Sequence, residues 1–599
     1  MKKLNLTLLM TPLYLIAAWV PCHAAGVVTD CSKFGTTIEE GTLAWALDGG
    51  GDVDFACNGT IIVEPEIRIE TDTVIDSNGF DVVLSGNNKN SVFWVREEKN
   101  LDLLGLKITK GAAYGAVRNL GGSVNIDNCV ISESTAMYGG GIRNENWMNT
   151  YIGTMTLTNT IVSNNTAYSS ISNSIGGGIY NFGIMTLTAC IVKENSARTD
   201  TGSASGGGIV NGSENSALPG TGSLTLINCT VFDNTALNYG GIWNMGKLTL
   251  QSSSVVGNSA TNGNAGGIFN NQNGKVTIIN SKISGNTSFG GVYLSHGGGI
   301  YSYGGTISIE NSAVSNNHSD DVGGGISTSV DATLEVSNST ISGNSCNDRG
   351  GGISSFGGQA TITNSTLSGN NSFQGGGIYN YAPLTLNYVT FSGNSAKEGS
   401  NLYVVNNTRA VTEMSNSLIT NGLTSSNCFC PGDWSLYLTD GGYNLADDDS
   451  CYLTDPSSMP LTDPLLDPIL KNNGGLTETH ALMAGSDAID AIPYGVNGCG
   501  DTITTDQRGI IRPQGDGCEI GAYEIEYYDT DNDGVADYND NCPCVFNPDQ
   551  NIHPCTDRYY TNDYDKDCDV DGDDLYSFTN IGANDLASFS TEYGFIGSP

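Results

Sequence analysis

One segment recurs down this chain with nearly constant wording: GGGIYNFGIMTLTACIVKENSA at 176–197, and later GGIWNMGKLTLQSSSVVGNSA, GGGISSFGGQATITNSTLSGNNS and GGGIYNYAPLTLNYVTFSGNSA. Aligned on the first apolar residue of each LTLTN-like stretch, ten copies begin at Val124, Met155, Met185, Leu224, Leu248, Val276, Ile307, Leu334, Ala360 and Leu384, spaced 24 to 39 residues apart. Ten positions after each start stands an Asn in nine of the ten, from Asn165 and Asn195 to Asn394. A period in this range, broken by insertions of variable length, marks a solenoid whose coils bury their apolar faces only against one another.

Helical coils are excluded by the residues themselves. Gly, Asn, Ser and Thr dominate, apolar residues alternate with period two, and β-branched types abound. Each repeat reads as one coil of short strands stacked about 4.8 Å from the next in parallel, in-register pairs. Leu224 and Leu226, or Leu384 and Leu386, then point inward with a Thr between them facing out. The glycines suit corners where φ is positive, and the terminal Asn suits both a left-handed turn and amide stacking from coil to coil.

A chain of 599 residues is too long for one compact core, which fits a repeat array. Asp and Glu outnumber Lys and Arg by 63 to 24, and no basic patch stands out, which excludes nucleic acid and anionic membrane surfaces as expected partners. Residues 1–24 carry Lys2 and Lys3, an apolar run and a small residue at Ala24, the pattern of a secretory signal; no transmembrane segment is expected after it. Export permits disulfides, and Cys31 and Cys57 flank a short amphipathic helix expected near Leu43–Leu47 that would cap the first coil. The oligomeric state is not legible.

With those residues on the page, 112–425 resembles the right-handed parallel β-helix of pectin-lyase-like proteins, and its GG-Ile and terminal-Asn segments are similar to the repeats of chlamydial polymorphic outer-membrane proteins. Residues 25–111 are then an N-terminal cap with the first irregular coils. Residues 426–527, with GGYNLADDDSCYLTDPSSMPLTDPLLDPILKNNGGLTETHALMAGSDAID followed by TDQRGIIRPQGDGCEIGAYE, resemble a choice-of-anchor Q module, which implies a packed cap holding His480, Asp487, Asp506 and Arg508 rather than a reactive site.

The last segment, 528–599, is an acidic tail. In DTDNDGVADYND, Asp529, Asp531, Asp533, Asp537 and Asp540 occupy positions 1, 3, 5, 9 and 12 of a twelve-residue loop, Gly534 takes the sharp turn and Val535 offers its carbonyl. That oxygen-only set is what Ca²⁺ requires. DYDKDCDVDGDD repeats it with Asp563, Asp565, Asp567, Asp571 and Asp574, with Asp569 at the carbonyl position and Cys568 where the turn glycine would be. The first loop with NCPCVFNPDQ resembles a thrombospondin type 3 repeat, and the second with DDLYSF and NDLASF resembles a dockerin; both resemblances imply bound Ca²⁺.

Two further sets carry chemistry. Counted back from the glycines, Asp321 and Asp348 hold equivalent places in adjacent coils, with Arg349 beside the second and His296 one coil earlier in the Arg349 column. Two carboxylates about 5 Å apart suit retaining glycoside hydrolysis, a cation site or a solvated corner. The residue after the repeated Ile is aromatic in five coils, Tyr180, Trp243, Phe269, Tyr301 and Tyr379; it turns away from the core, either to stack against sugar rings or to form a ladder sealed by loops. The preferred reading is an exported or surface-displayed, non-catalytic β-helix for adhesion or glycan binding, stiffened by Ca²⁺. The alternatives are a polysaccharide-degrading enzyme centred on Asp321 and Asp348, and a structural spacer.

Overall fold

The computed structural model describes residues 26–33, 37–148, 150–212, 222–290 and 295–526. The leader and both acidic loops, from Asp529 to Asp540 and from Asp563 to Asp574, lie outside the described residues.

The chain is an all-β parallel solenoid built on three long sheets of 30, 14 and 10 strands. All ten repeat starts stack in one register, Val124 on Met155 on Met185 and so on to Ala360 on Leu384. The inward residues close the core: Leu224, Leu226 and Leu386 are fully buried, as are the repeated isoleucines Ile268 and Ile300. The same register continues beyond the obvious repeats. It runs back through Leu101 and Thr73 and forward through Thr412 to Leu438, and the neighbouring column, Thr390 on Leu418 on Leu445, reaches Met459. Residues on both flanks of the obvious repeats therefore add strands to the same stack.

Three columns of polar side chains run through this apolar interior. Each terminal Asn is buried, and its carboxamide oxygen accepts from the residue at the same place in the preceding coil, Ser134 for Asn165 and an Asn for the others: the backbone N–H of Asn286 reaches Asn317 Oδ1 at 3.0 Å and its Nδ2 reaches the same atom at 2.9 Å. A second column follows the repeated Ile by two residues, with Asn144 Nδ2 donating to Asn181, Asn181 to Asn211 and Asn211 to Asn244, each at 2.8 Å. A third uses small hydroxyl and thiol groups to accept backbone N–H bonds, from Cys129 through Thr160, Cys190 and Cys229 to Ser253. Buried corners of the coil leave backbone groups without a sheet partner, and these side chains satisfy them.

One expectation about the corners is corrected. The ladder Asn is not the left-handed residue; that conformation falls on the residue before it, at Asn164, Glu194, Asp233 and Asn316 with φ of 52 to 55°. The glycines answer a closer constraint. A Cβ at Gly299 would stand 2.7 Å from Gly325 O and 2.9 Å from Asn317 Nδ2, so coil-to-coil approach there admits no side chain.

The first strand, Gly26–Val28, pairs with Gly51–Phe55 across the short helix Leu43–Ala46, and Cys31 is bonded to Cys57 as the spacing suggests. At the other end the chain does more than close the last coil. After Pro460 it folds back as a strap along the outer face of the 30-stranded sheet. Ala522 N–H donates to Thr390 Oγ1 at 2.9 Å, Asn364 Nδ2 to Thr505 O at 2.8 Å, and Thr340 Oγ1 to Glu478 O at 2.6 Å. A separate apolar cluster of Tyr388, Leu418, Leu445, Leu482 and Ile492 seals this contact.

The strap is held by buried charge. Arg512 Nη1 meets Glu524 Oε2 at 2.8 Å with both side chains fully buried, and its guanidinium lies 4.3 Å from the Tyr388 ring. Burial, reinforced by the neighbouring Glu524, pushes the Glu519 carboxyl up to about 11, so it is protonated at neutral pH. The four residues considered above for chemistry serve this packing or lie apart from it. Arg508 pairs with Asp506 at 2.9 Å, His480 bonds Ser368 and the Asp467 carbonyl, and Asp487 is exposed.

Candidate functional site

The outward column of the 14-stranded sheet begins with Arg68, Trp94, Arg118 and Arg143, and continues in register through Tyr180, Val210, Trp243, Phe269 and Tyr301. The five aromatic residues singled out from sequence do share one column facing away from the coil interior. Loops close over it. Trp243, Phe269, Tyr301 and Tyr379 are only 5–6% exposed, and Tyr239 stacks on Phe269 with centroids 3.9 Å apart. Trp243, Phe269 and Tyr301 form a satellite core with Ile175, Met245 and Ala265, so this part of the ladder offers its faces to itself and not to solvent.

Val210 interrupts the ladder for one coil, and a longer break follows. Between Tyr301 and Tyr379 the same column holds Ser327 and Ser354, both fully buried, before aromatic stacking resumes through Tyr403 and Phe429. Two larger side chains lean into the space the serines leave. His296 stacks on Tyr301 at 4.9 Å, Phe356 lies 5.5 Å from Tyr379, and their rings meet edge to face at 6.5 Å. Burial lowers the His296 pKa, opposed in part by Asp321, which keeps the imidazole neutral at neutral pH.

The carboxylate set converges at this break. Val322 bridges His296 on one side and Arg349 on the other, and Asp348 N–H donates to Asp321 O at 2.9 Å, so Asp321 and Asp348 stand in adjacent coils and His296 lies in the Arg349 column, one coil before Val322 and two before Arg349. Each carboxylate is already engaged. Asp321 accepts from Ser295 N–H at 2.6 Å, and Asp348 Oδ2 lies 3.3 Å from Arg349 Nε, with both of those side chains about two-fifths exposed. Hydrolysis of the retaining type needs one carboxyl held protonated by an apolar setting; neither aspartate sits in one. Among the described residues no group of three or more His, Cys, Asp or Glu side chains is arranged to hold a metal.

Aromatics with exposed surface lie two residues beyond the ladder position. Three residues after the repeated Ile stand Tyr303, Phe356 and Tyr381. Tyr303 is 44% exposed, while Phe356 and Tyr381 are half-buried with centroids 6.1 Å apart. The Arg349 guanidinium, 5.5 Å from the Tyr379 ring, borders this strip. The result is a shallow surface with aromatic faces, a guanidinium, a carboxylate and hydroxyls side by side. The repeat alignment carried the signal for these three residues, at a position whose neighbour drew attention first.

No protein-family model, curated protein or solved structure matches the chain. Among the described residues, no helix is long and apolar enough to cross a membrane.

Proposed function

We propose that the protein is an exported, non-catalytic β-solenoid that binds glycans on the strip formed by Tyr303, Phe356, Tyr381 and Arg349. The observation that carries the reading is the placement of these groups. Tyr303 is exposed and Phe356 and Tyr381 keep part of their surface open, in coils spanning three stacking steps, about 14 Å, beside a guanidinium and the part-exposed Asp348 carboxylate. Aromatic faces take the apolar faces of sugar rings while planar charged groups take their hydroxyls. Engagement of Asp321 and Asp348 in local hydrogen bonds and an ion pair favours recognition over bond cleavage. The tail adds Ca²⁺, held by Asp529, Asp531, Asp533, Asp537 and Asp540 in the first loop and by the Asp563 to Asp574 set in the second, as the counter-charge that lets sixteen acids and two bases in 529–599 pack.

A glycan-array screen of the protein, run beside Phe356→Ala and Arg349→Ala and with reducing-sugar release measured on every hit, tests this. The expected result is retention of one glycan class by the wild type, weakened at least tenfold in both variants, with no release. Release that disappears in Asp348→Asn establishes the enzyme instead.

A further inference from the structure

The aromatic strip carries one pair of opposite charges, and the pair is matched within itself. Asp348 Oδ2 lies 3.3 Å from Arg349 Nε, and both side chains are about two-fifths exposed. The Arg349 guanidinium stands 5.5 Å from the Tyr379 ring, and Tyr379 lies 5.5 Å from Phe356, so the pair opens beside the aromatic faces. Among the described residues, Arg349 Nη1 and Nη2 and Asp348 Oδ1 have no hydrogen-bond partner. The pair thus presents open donors and an open acceptor side by side, with no net charge.

The carboxylates of the adjoining coils are held by local donors. Asp321 accepts from Ser295 N–H at 2.6 Å, and Glu398, one coil beyond Gln374, accepts from Gln374 Nε2 at 2.7 Å. An acid group on a ligand would use the Arg349 donors but bring its charge against Asp348. An ammonium group would use Asp348 and meet Arg349. Adjacent hydroxyls, each both donor and acceptor, satisfy the two side chains without placing a third charge between them.

The strip also has a direction. Tyr303, Ser329, Phe356 and Tyr381 hold the same place in four successive coils, in a line parallel to the solenoid axis with steps of about 4.8 Å. Phe356 and Tyr381 have centroids 6.1 Å apart, while Tyr303 lies two steps before Phe356, across Ser329. Ser329 Oγ is 2.9 Å from the Tyr301 hydroxyl, so the middle coil offers a small polar group between the rings.

We propose that the ligand of this strip is an uncharged polysaccharide, an extended chain lying along the solenoid axis with adjacent hydroxyls of one ring bonded to Arg349 and Asp348. The inference rests on the strip being the glycan-binding surface, and it adds the chemical class of the chain and its direction. A short fragment spans Phe356 and Tyr381; a longer one also reaches Tyr303.

The probe is an array carrying neutral, uronate-bearing and glucosamine-bearing glycans. It is followed by calorimetric titration of the best-retained neutral glycan and of the same glycan with its primary alcohols oxidised to carboxylates. The expected hits are neutral, with affinity changing less than about twofold between about 0.05 M and about 0.5 M salt, because no unmatched charge is screened. The oxidised form binds at least tenfold more weakly, and Asp348→Asn, which leaves Arg349 without its counter-charge, shifts the ratio of the two affinities at least tenfold toward the oxidised form. Tyr303→Ala costs a longer oligomer at least threefold more than it costs a disaccharide of the same glycan. Uronate-bearing or glucosamine-bearing hits that weaken with salt and are lost in Phe356→Ala would overturn this inference and leave the strip as the binding surface. No retained glycan, or retention indifferent to Phe356→Ala, would overturn both.

Discussion

Replacing Asn317 with Ala probes the polar column that makes this solenoid regular. Asn317 is fully buried, and its side chain makes four contacts: Oδ1 accepts from Asn286 N–H at 3.0 Å and from Asn286 Nδ2 at 2.9 Å, while Nδ2 donates to Ile283 O at 3.0 Å and to Asn344 Oδ1 at 2.9 Å. Truncation does not orphan all of them. Asn286 Nδ2 keeps its bond to Val255 O, and Asn344 Oδ1 still accepts from the Asn317 backbone. The Asn286 N–H loses the acceptor it has, at about 1–3 kcal/mol, and three weakened partners add about 0.5–1 kcal/mol each, for a total of about 2.5–6 kcal/mol. The outward Thr277→Ala is the control, expected within about 0.5 kcal/mol of wild type. Urea denaturation gives the global figure. Because a stacked array can open in segments, amide exchange at Asn286 gives the local one, with protection falling in Asn317→Ala and unchanged in Thr277→Ala. A loss under about 1 kcal/mol with Asn286 still protected would refute the claim that the column satisfies buried backbone groups.

Ile300→Ala, at a fully buried core position, should cost about 2–5 kcal/mol by denaturation without changing the fold seen by circular dichroism. Removing the charge that pairs with Arg512, by Glu524→Gln, should loosen the strap by about 3–5 kcal/mol, read as increased proteolysis of residues 464–526. Glu519 behaves oppositely. Its carboxyl is protonated in the folded state, so stability it contributes is fully present below the ordinary glutamate pKa and lost as pH rises toward about 11; Glu519→Gln should match wild type near pH 4 and exceed it progressively above about pH 5.

The periodic part of the molecule was legible because one rule, apolar in and polar out with a fixed corner, is repeated until it outweighs local noise. Register, the Ile column and the Asn ladder followed from spacing alone. The second Asn column and the Ser/Thr/Cys column were written in the same alignment but have no apolar signature to draw attention to them. Two features were not legible. Whether a ring that leaves the core meets solvent depends on loops such as the one carrying Tyr239, whose path no period encodes. The strap was read as an end cap, because an apolar coil end needs closing and no period shows that the closing chain runs back along the coils to Thr340, over Tyr388, Leu418 and Leu445. In the candidate site, position counting placed Asp321, Asp348, Arg349 and His296 together; their hydrogen-bond engagement, which weighs against catalysis, is a matter of rotamers and neighbours such as Ser295.

The account rests on one surface being the place where a glycan is held, and amide exchange of the protein with and without the glycan that the array identifies tests it directly. Protection on binding is expected in peptides containing Tyr303, Arg349 to Phe356, and Tyr381, and nowhere in the first coils. Protection confined to another face, or unchanged exchange across these three peptides at saturating glycan, would contradict it.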